Sequence, residues 1–160
     1  MTDQQEITIT IVEVPPVTPE EEAECRVLIG KAKLPLIYAH AMLGHLSLSV
    51  GIGISRDNPT AWTNGDNVFY NPDFLKTLSP EERRGVHIHE VLHIALNHVR
   101  RAKAHENHFR WNIAIDCLVN EWILCSNEAA RDRGSGVANT ECLLPSMTLK
   151  DGTTRPAGIT

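Results

Sequence analysis

The segment from Ser79 to Arg101 constrains this chain more than any other. Ser79-Pro80-Glu81-Glu82 places Ser at an N-cap, Pro in the first turn and Glu three positions after the cap, the signature of a helix start. Behind it, Ile88, Leu92, Ala95, Leu96 and Val99 fall on one side of a helix. The spacing predicts one long helix running to about Arg101, with that side in the core. Inside it stands His89-Glu90-Val91-Leu92-His93. Residues four apart on a helix differ in direction by about 40°, so both imidazoles point to one side and can grip a single ion. Glu90 sits about 100° from His89 and can reach water on that ion. In this pattern two histidines bind Zn²⁺ and the glutamate is the general base, and zinc brings the pKa of its water to about 7. Ionisable groups on a core helix need a physical reason to be there, which sets this pentapeptide apart from a chance match on an exposed helix.

A catalytic zinc usually has three protein ligands. The third is expected from a helix over about 108–125. That segment reads as apolar nearly all round and so as buried, yet Asn112, Asp116 and Asn120 recur at i, i+4 and i+8. A buried carboxylate costs several kcal/mol unless paired. A facing Zn²⁺ would resolve that cost at Asp116, with Asn112 and Asn120 as hydrogen-bonding support behind the ligands. Two alternatives stand beside this. Asp116 pairs with Arg100, Arg101 or Arg110, or the third ligand is His105 or His108 from the polar stretch between the helices. His87 and His98 stand about 160–180° from His89 on a continuous helix and cannot share its metal. They are expected to be hydrogen-bonded core or partly exposed histidines. No motif surrounds His40 or His45. Trp62, Trp111 and Trp122 are expected in the core.

The remaining sequence sets the frame. One domain of ordinary size fits 160 residues. A net charge of −5 without a basic stripe argues against a nucleic-acid partner. No apolar run of about 18 residues suggests a membrane span, and the N-terminus lacks signal-peptide features, so a cytoplasmic location is expected. The four cysteines form no Cys-x-x-Cys pair and are expected reduced and mostly buried. Of the eight histidines, His87, His89, His93, His98, His105 and His108 crowd one stretch.

Residues 6–14 alternate and read as a strand or a pairing arm. Thr18-Pro19-Glu20-Glu21 starts a helix to about Lys33, with Pro35 as its breaker and a second helical piece over 35–44. Leu46–Ile54 reads as a strand. Ala61–Thr63 and Val68–Tyr70 flank Asn64-Gly65 as a hairpin, and Asn71-Pro72 leaves the sheet. Residues after 131 read as loop. The domain plan is an arm over 1–17, a catalytic-type domain over 18–130 and a loop-rich tail over 131–160. The fold class is α+β, with three to four helices on a small, mainly antiparallel sheet.

Thr63-Asn64-Gly65, Tyr70-Asn71-Pro72, Leu78 to Glu82, His89 to His98 and Trp111 to Asp116 together carry a resemblance. In them the chain resembles the zincin-like metallopeptidase domain of bacterial and phage proteins, often found ahead of a von Willebrand A-like domain. The resemblance implies a zincin-like core and Asp116 as third ligand. It also implies an edge strand near Val68–Tyr70 above the motif helix, and a partner protein supplying the downstream domain. The expected substrate is a peptide or protein. Tyr70 and His108 are the candidates to steady the oxyanion or substrate, with Tyr38 beside them. The competing expectation is a non-hydrolytic, zinc-stabilised protein-binding or phage regulatory module, its metal closed by His105, His108 or Cys117. A further expectation concerns the Val68–Tyr70 strand: it is either an open edge for substrate or covered by residues 6–14 as an inhibitory arm.

Overall fold

The structure, a computed structural model, describes residues 14–39, 41–132, 146–148 and 154–156. Among these residues the chain forms α1 (Pro19–Ala39), α2 (Ala41–Ser49), β1 (Gly51–Ile54), β2 (Ala61–Thr63), β3 (Asn67–Tyr70), α3 (Pro72–Thr77), α4 (Pro80–Ala95), α5 (His98–Ala102), α6 (His108–Asp132) and the short strands β4 (Ser146–Thr148) and β5 (Thr154–Pro156). The class is α+β, with six helices rather than three or four. The strand expected at 6–14 lies outside the described residues except for Val14, and so do His40, Cys142 and most of the tail. Within that tail β4 and β5 pair antiparallel, where loop was expected.

Both capping signatures form. Thr18 and Glu21 exchange side chain-to-backbone hydrogen bonds at 3.2 Å, and Ser79 and Glu82 close a full capping box. Helix α1 departs from expectation by running through Pro35 to Ala39. An interior proline costs about 3 kcal/mol. Cys25, Ile29, Ala32 and Leu36 nevertheless form one buried stripe continuing past it, and each large apolar side chain so buried returns roughly 1.5–3 kcal/mol. The expected strand over Leu46–Ile54 is half helix. Leu43, Gly44 and Ser47 are the buried face of α2, at helical spacing, and only Gly51–Ile54 is extended. Gly44 lets α1 and α2 touch, since a Cβ there would lie 2.6 Å from the Ile37 Cα.

The hairpin forms as read. Gly65 takes φ 98°, and Asn64 Oδ1 accepts from the amides of Asp66 and Asn67 at 3.0 and 2.8 Å. The sheet order is β1-β3-β2, with β1 parallel to β3 and β2 antiparallel. It is therefore mixed, not mainly antiparallel, because β1 enters from α2 rather than from a hairpin turn. Val68–Tyr70 is the central strand and not an edge. Its two neighbours occupy both its hydrogen-bonding sides, which overturns both the open-edge and the arm-covered expectation for that strand. The Asn71 side chain then caps α3, accepting from the amides of Asp73 and Phe74 at 2.9 and 3.3 Å.

Helix α4 lies between two apolar clusters. One joins Cys25, Ile29, Val68, Tyr70, Leu75, Leu78, Val86 and Val91. The other joins Leu36, Leu43, Ile88, Leu92, Val119 and Ile123. The motif helix is thus in the core, as expected, but it stops at Ala95. Asn97 takes φ 56°, ψ 34°, and a separate short helix follows. Helix α6 is buried on one face only: Phe109, Leu118 and Trp122 are exposed. The full-burial reading fails because apolar composition alone does not say which side meets the core. Trp62 and Trp111 are half-buried and Trp122 is exposed, so none is a fully buried core residue. Cys25 is buried, Cys117 half-buried and Cys125 exposed. No helix among the described residues is long and apolar enough to cross a membrane.

Candidate metal centre

His89 and His93 project from one side of α4 toward Asp116 on α6, which packs across it. The two Nε2 atoms are 3.0 Å apart. Asp116 Oδ1 lies 3.2 Å from His93 Nε2 and 3.6 Å from His89 Nε2. Four ligands in a tetrahedron with bonds of about 2.0–2.1 Å stand about 3.3 Å apart. The three protein atoms therefore fit three corners of such a site, and two imidazoles with a carboxylate match zinc's preference for nitrogen and oxygen donors. Among the described residues no further His, Cys, Asp or Glu joins this group. The alternative of an arginine partner for Asp116 gives way: Arg100 instead reaches Asp66 at 3.1 Å, and Arg101 lies over the Trp111 ring.

The charges of these groups are coupled. Burial works against the Asp116 charge, but His89 and His93 outweigh it and hold the carboxyl at about 2. Burial also opposes a charge on His89, yet Asp116, Glu90 and Asn120 together raise its pKa above the ordinary value. Glu90 is pushed up by burial, with the two histidines pulling the other way and Asp116 reinforcing the rise.

The group opens on a cleft of about 410 Å³. His89, Glu90 and His93 form its floor, Thr60 and strand β2 form one wall, and Val99 and Ala102 of α5 with Ile115 and Asp116 of α6 form the other. Trp62 on β2 stacks on Phe69, ring centroids 4.4 Å apart, which stiffens the first wall.

The asparagines divide. Asn120 is fully buried, and its Oδ1 lies 2.9 Å from His89 Nδ1, so it accepts from the imidazole. Asn112 is exposed at the cleft rim, with no contact to a ligand. Neither oxyanion candidate reaches the cleft. Tyr70 is buried with its hydroxyl 2.6 Å from His87 Nδ1, committed to the core. His108 is exposed where α6 begins. Tyr38 is 78% exposed. His105 stacks on Trp111, ring centroids 3.9 Å apart, and is not part of the ligand group.

Two features escaped the sequence reading. His98, expected on the far side of a continuous helix, has its Nδ1 3.2 Å from His93 Nδ1. The signal was Asn97, one of the few residue types that tolerate a left-handed backbone. The second is the β2 wall, which needed the sheet order to be known.

A family model described as a putative metallopeptidase domain matches residues 28–135, a span containing every residue of the centre. No curated protein and no solved structure matches the chain.

Proposed function

We propose a function from one premise: the chain belongs to the metallopeptidase-domain family whose model it matches. On that premise it is a metal-dependent hydrolase, its metal zinc and its substrate a peptide or protein. The observation that carries the reading is the His89–His93–Asp116 triangle opening on the same cleft as Glu90. When bound, zinc supplies Lewis-acid polarisation of a carbonyl and acidification of water. Glu90 then does the proton work. It accepts a proton from the attacking water and returns it to the leaving amine.

Strand β2 supports a docking mode. It pairs with β3 on one side and borders the cleft. An extended peptide could add to its other side as a fourth strand, with backbone hydrogen bonds setting the peptide's course over the site. A zincin-like plan is part of this proposal, with the edge role moved from Val68–Tyr70 to Ala61–Thr63. A partner carrying a von Willebrand A-like domain belongs to it too. The competing zinc-stabilised binding module would need the metal closed by His105, His108 or Cys117. None of them joins the ligand group, which favours the hydrolase.

The test is elemental analysis joined to a peptide-library digest with and without chelator. Near-stoichiometric zinc is expected in the wild type and little in Asp116→Ala. Glu90→Gln should retain zinc and lose about 10²–10⁴-fold in rate. Full zinc in Asp116→Ala would sink the ligand set. Equal cleavage by wild type and Glu90→Gln would sink the mechanism, and no cleavage by metal-loaded protein would favour the binding module.

A further inference from the structure

We propose that His98 is the positioning residue of this metal site: its bare Nδ1 accepts a hydrogen bond from the Nδ1–H of His93 and fixes the ring whose Nε2 faces Asp116. This rests on the hydrolase reading only in taking His93 to be a metal ligand. The two Nδ1 atoms are 3.2 Å apart, and the rings meet edge to face at 76°. His93 is 7% exposed and His98 1%.

The contact is a product of one backbone break. Five residues along a continuous helix would turn His98 about 140° away from His93. Instead the Leu96 amide bonds to Leu92 O and the Asn97 amide to Ile94 O, both at 2.9 Å, which closes α4. Asn97 then takes its left-handed conformation, and the chain re-enters a helix with His98 as the first residue. Trp111 of α6 meets the His98 ring edge-on, centroids 6.2 Å apart. Trp111 is itself stacked against His105. The His98 ring is thus held between His93 and an indole from the helix that also carries Asp116.

The chemistry follows from the ligand role. A histidine that binds metal through Nε2 carries its remaining proton on Nδ1, and that N–H needs an acceptor when buried. At His93 the acceptor in place is His98 Nδ1, which can accept only when its own proton is on Nε2. His89 meets the same need with Asn120 Oδ1. One ligand is therefore backed by a nitrogen acceptor and the other by an oxygen.

That difference makes the proposal measurable. In zinc-loaded protein labelled with ¹⁵N-histidine, a scalar coupling across the hydrogen bond is expected between His93 Nδ1 and His98 Nδ1. None is expected from His89 Nδ1, whose acceptor is oxygen. Absence of the His93–His98 coupling overturns the proposal. His98→Phe keeps a ring against Trp111 but removes the acceptor. Its zinc affinity, read by competition with a chromophoric chelator, should fall about 10–100-fold, and His98→Asn, which offers a carbonyl oxygen, should recover part of it. Asn97→Gly should leave the affinity unchanged, whereas Asn97→Val, strained at positive φ, should lower it. Equal affinity in wild type and a folded His98→Phe overturns the proposal, and should that variant fail to fold, the coupling decides. Wild-type protein that takes up no zinc overturns this proposal and the ligand set together. Zinc uptake and coupling without any hydrolysis overturn the hydrolase reading alone.

Discussion

His87 and His93 sit on the same helix, both are buried, and each has one ring nitrogen against an aromatic neighbour. Their surroundings give them opposite roles. The His87 ring lies on the side of α4 that faces the sheet, hydrogen-bonded to Tyr70, and burial, with the Lys33 charge adding to it, depresses its pKa to about 3. Burial likewise keeps the Tyr70 hydroxyl protonated, its pKa raised well above the ordinary value. Phenol and neutral imidazole therefore make a closed pair, in which Tyr70 donates to His87. The far nitrogen of His87 finds no partner among the described residues. The far nitrogen of His93 meets another imidazole and a carboxylate at the mouth of a cleft. Burial of a histidine on a core helix is thus no sign of function by itself. What separates the two is whether the second nitrogen opens on a charged, accessible partner.

The largest effect that can break this contrast is on zinc and hydrolysis. His93→Ala should lose bound zinc and at least about 10²–10⁴-fold in rate, the range of a removed acid–base or metal function, while Tyr70→Phe should keep both. Tyr70→Phe should instead cost about 1–3 kcal/mol of stability, read by urea unfolding, because it strips a buried hydrogen bond. Parallel losses of zinc in the two variants would erase the distinction.

The next effect is pH dependence of the metal-free protein. An unfolded histidine binds a proton below its ordinary 6.5, and folded His87 only below about 3. Between those values the unfolded chain holds the extra proton, so stability present above about 6.5 is lost as pH falls toward 3. The slope from His87 alone approaches about 1.4 kcal/mol per pH unit. His98, lowered to about 4 chiefly by burial, acts in the same direction. Subtracting His87→Phe from wild type isolates the His87 share. A difference that stays flat from pH 6.5 to 4 would show that His87 is not held neutral.

A smaller effect sharpens the comparison within α6. Asn120→Ala removes the acceptor behind His89 and should lower zinc affinity about 10–100-fold in a chelator competition. Asn112→Ala, at the exposed rim, should change stability by less than about 0.5 kcal/mol and leave affinity alone. His105→Ala and His108→Ala should likewise keep full zinc. A larger loss from Asn112→Ala than from Asn120→Ala would reverse the assignment of the polar stripe.

Much of this was written locally in the chain. The capping boxes at Thr18 and Ser79, the Asn64-Gly65 turn and the pairing of His89 with His93 each depend on residues within a few positions of one another, so spacing alone specifies them. Asp116 was anticipated on an argument that holds only in part: its helix is buried on one face and the carboxylate is half-exposed, yet it lies on the side that meets His89 and His93. Sheet order was not legible, because β1 and β3 pair through backbone groups that every residue carries, and this moved the edge from Val68–Tyr70 to Ala61–Thr63. The fate of Tyr70 went with it, since a central strand aims that hydroxyl at His87. His98 shows the limit most sharply. Helical periodicity sent it to the far side of α4, and a single left-handed residue returned it to His93. Asparagine permits that conformation without requiring it. The choice was made by closure of α4 at Leu96 and by the Trp111 ring against which His98 comes to rest. The first is local, but the second joins α5 to α6, and its free energy exists only once those helices have packed.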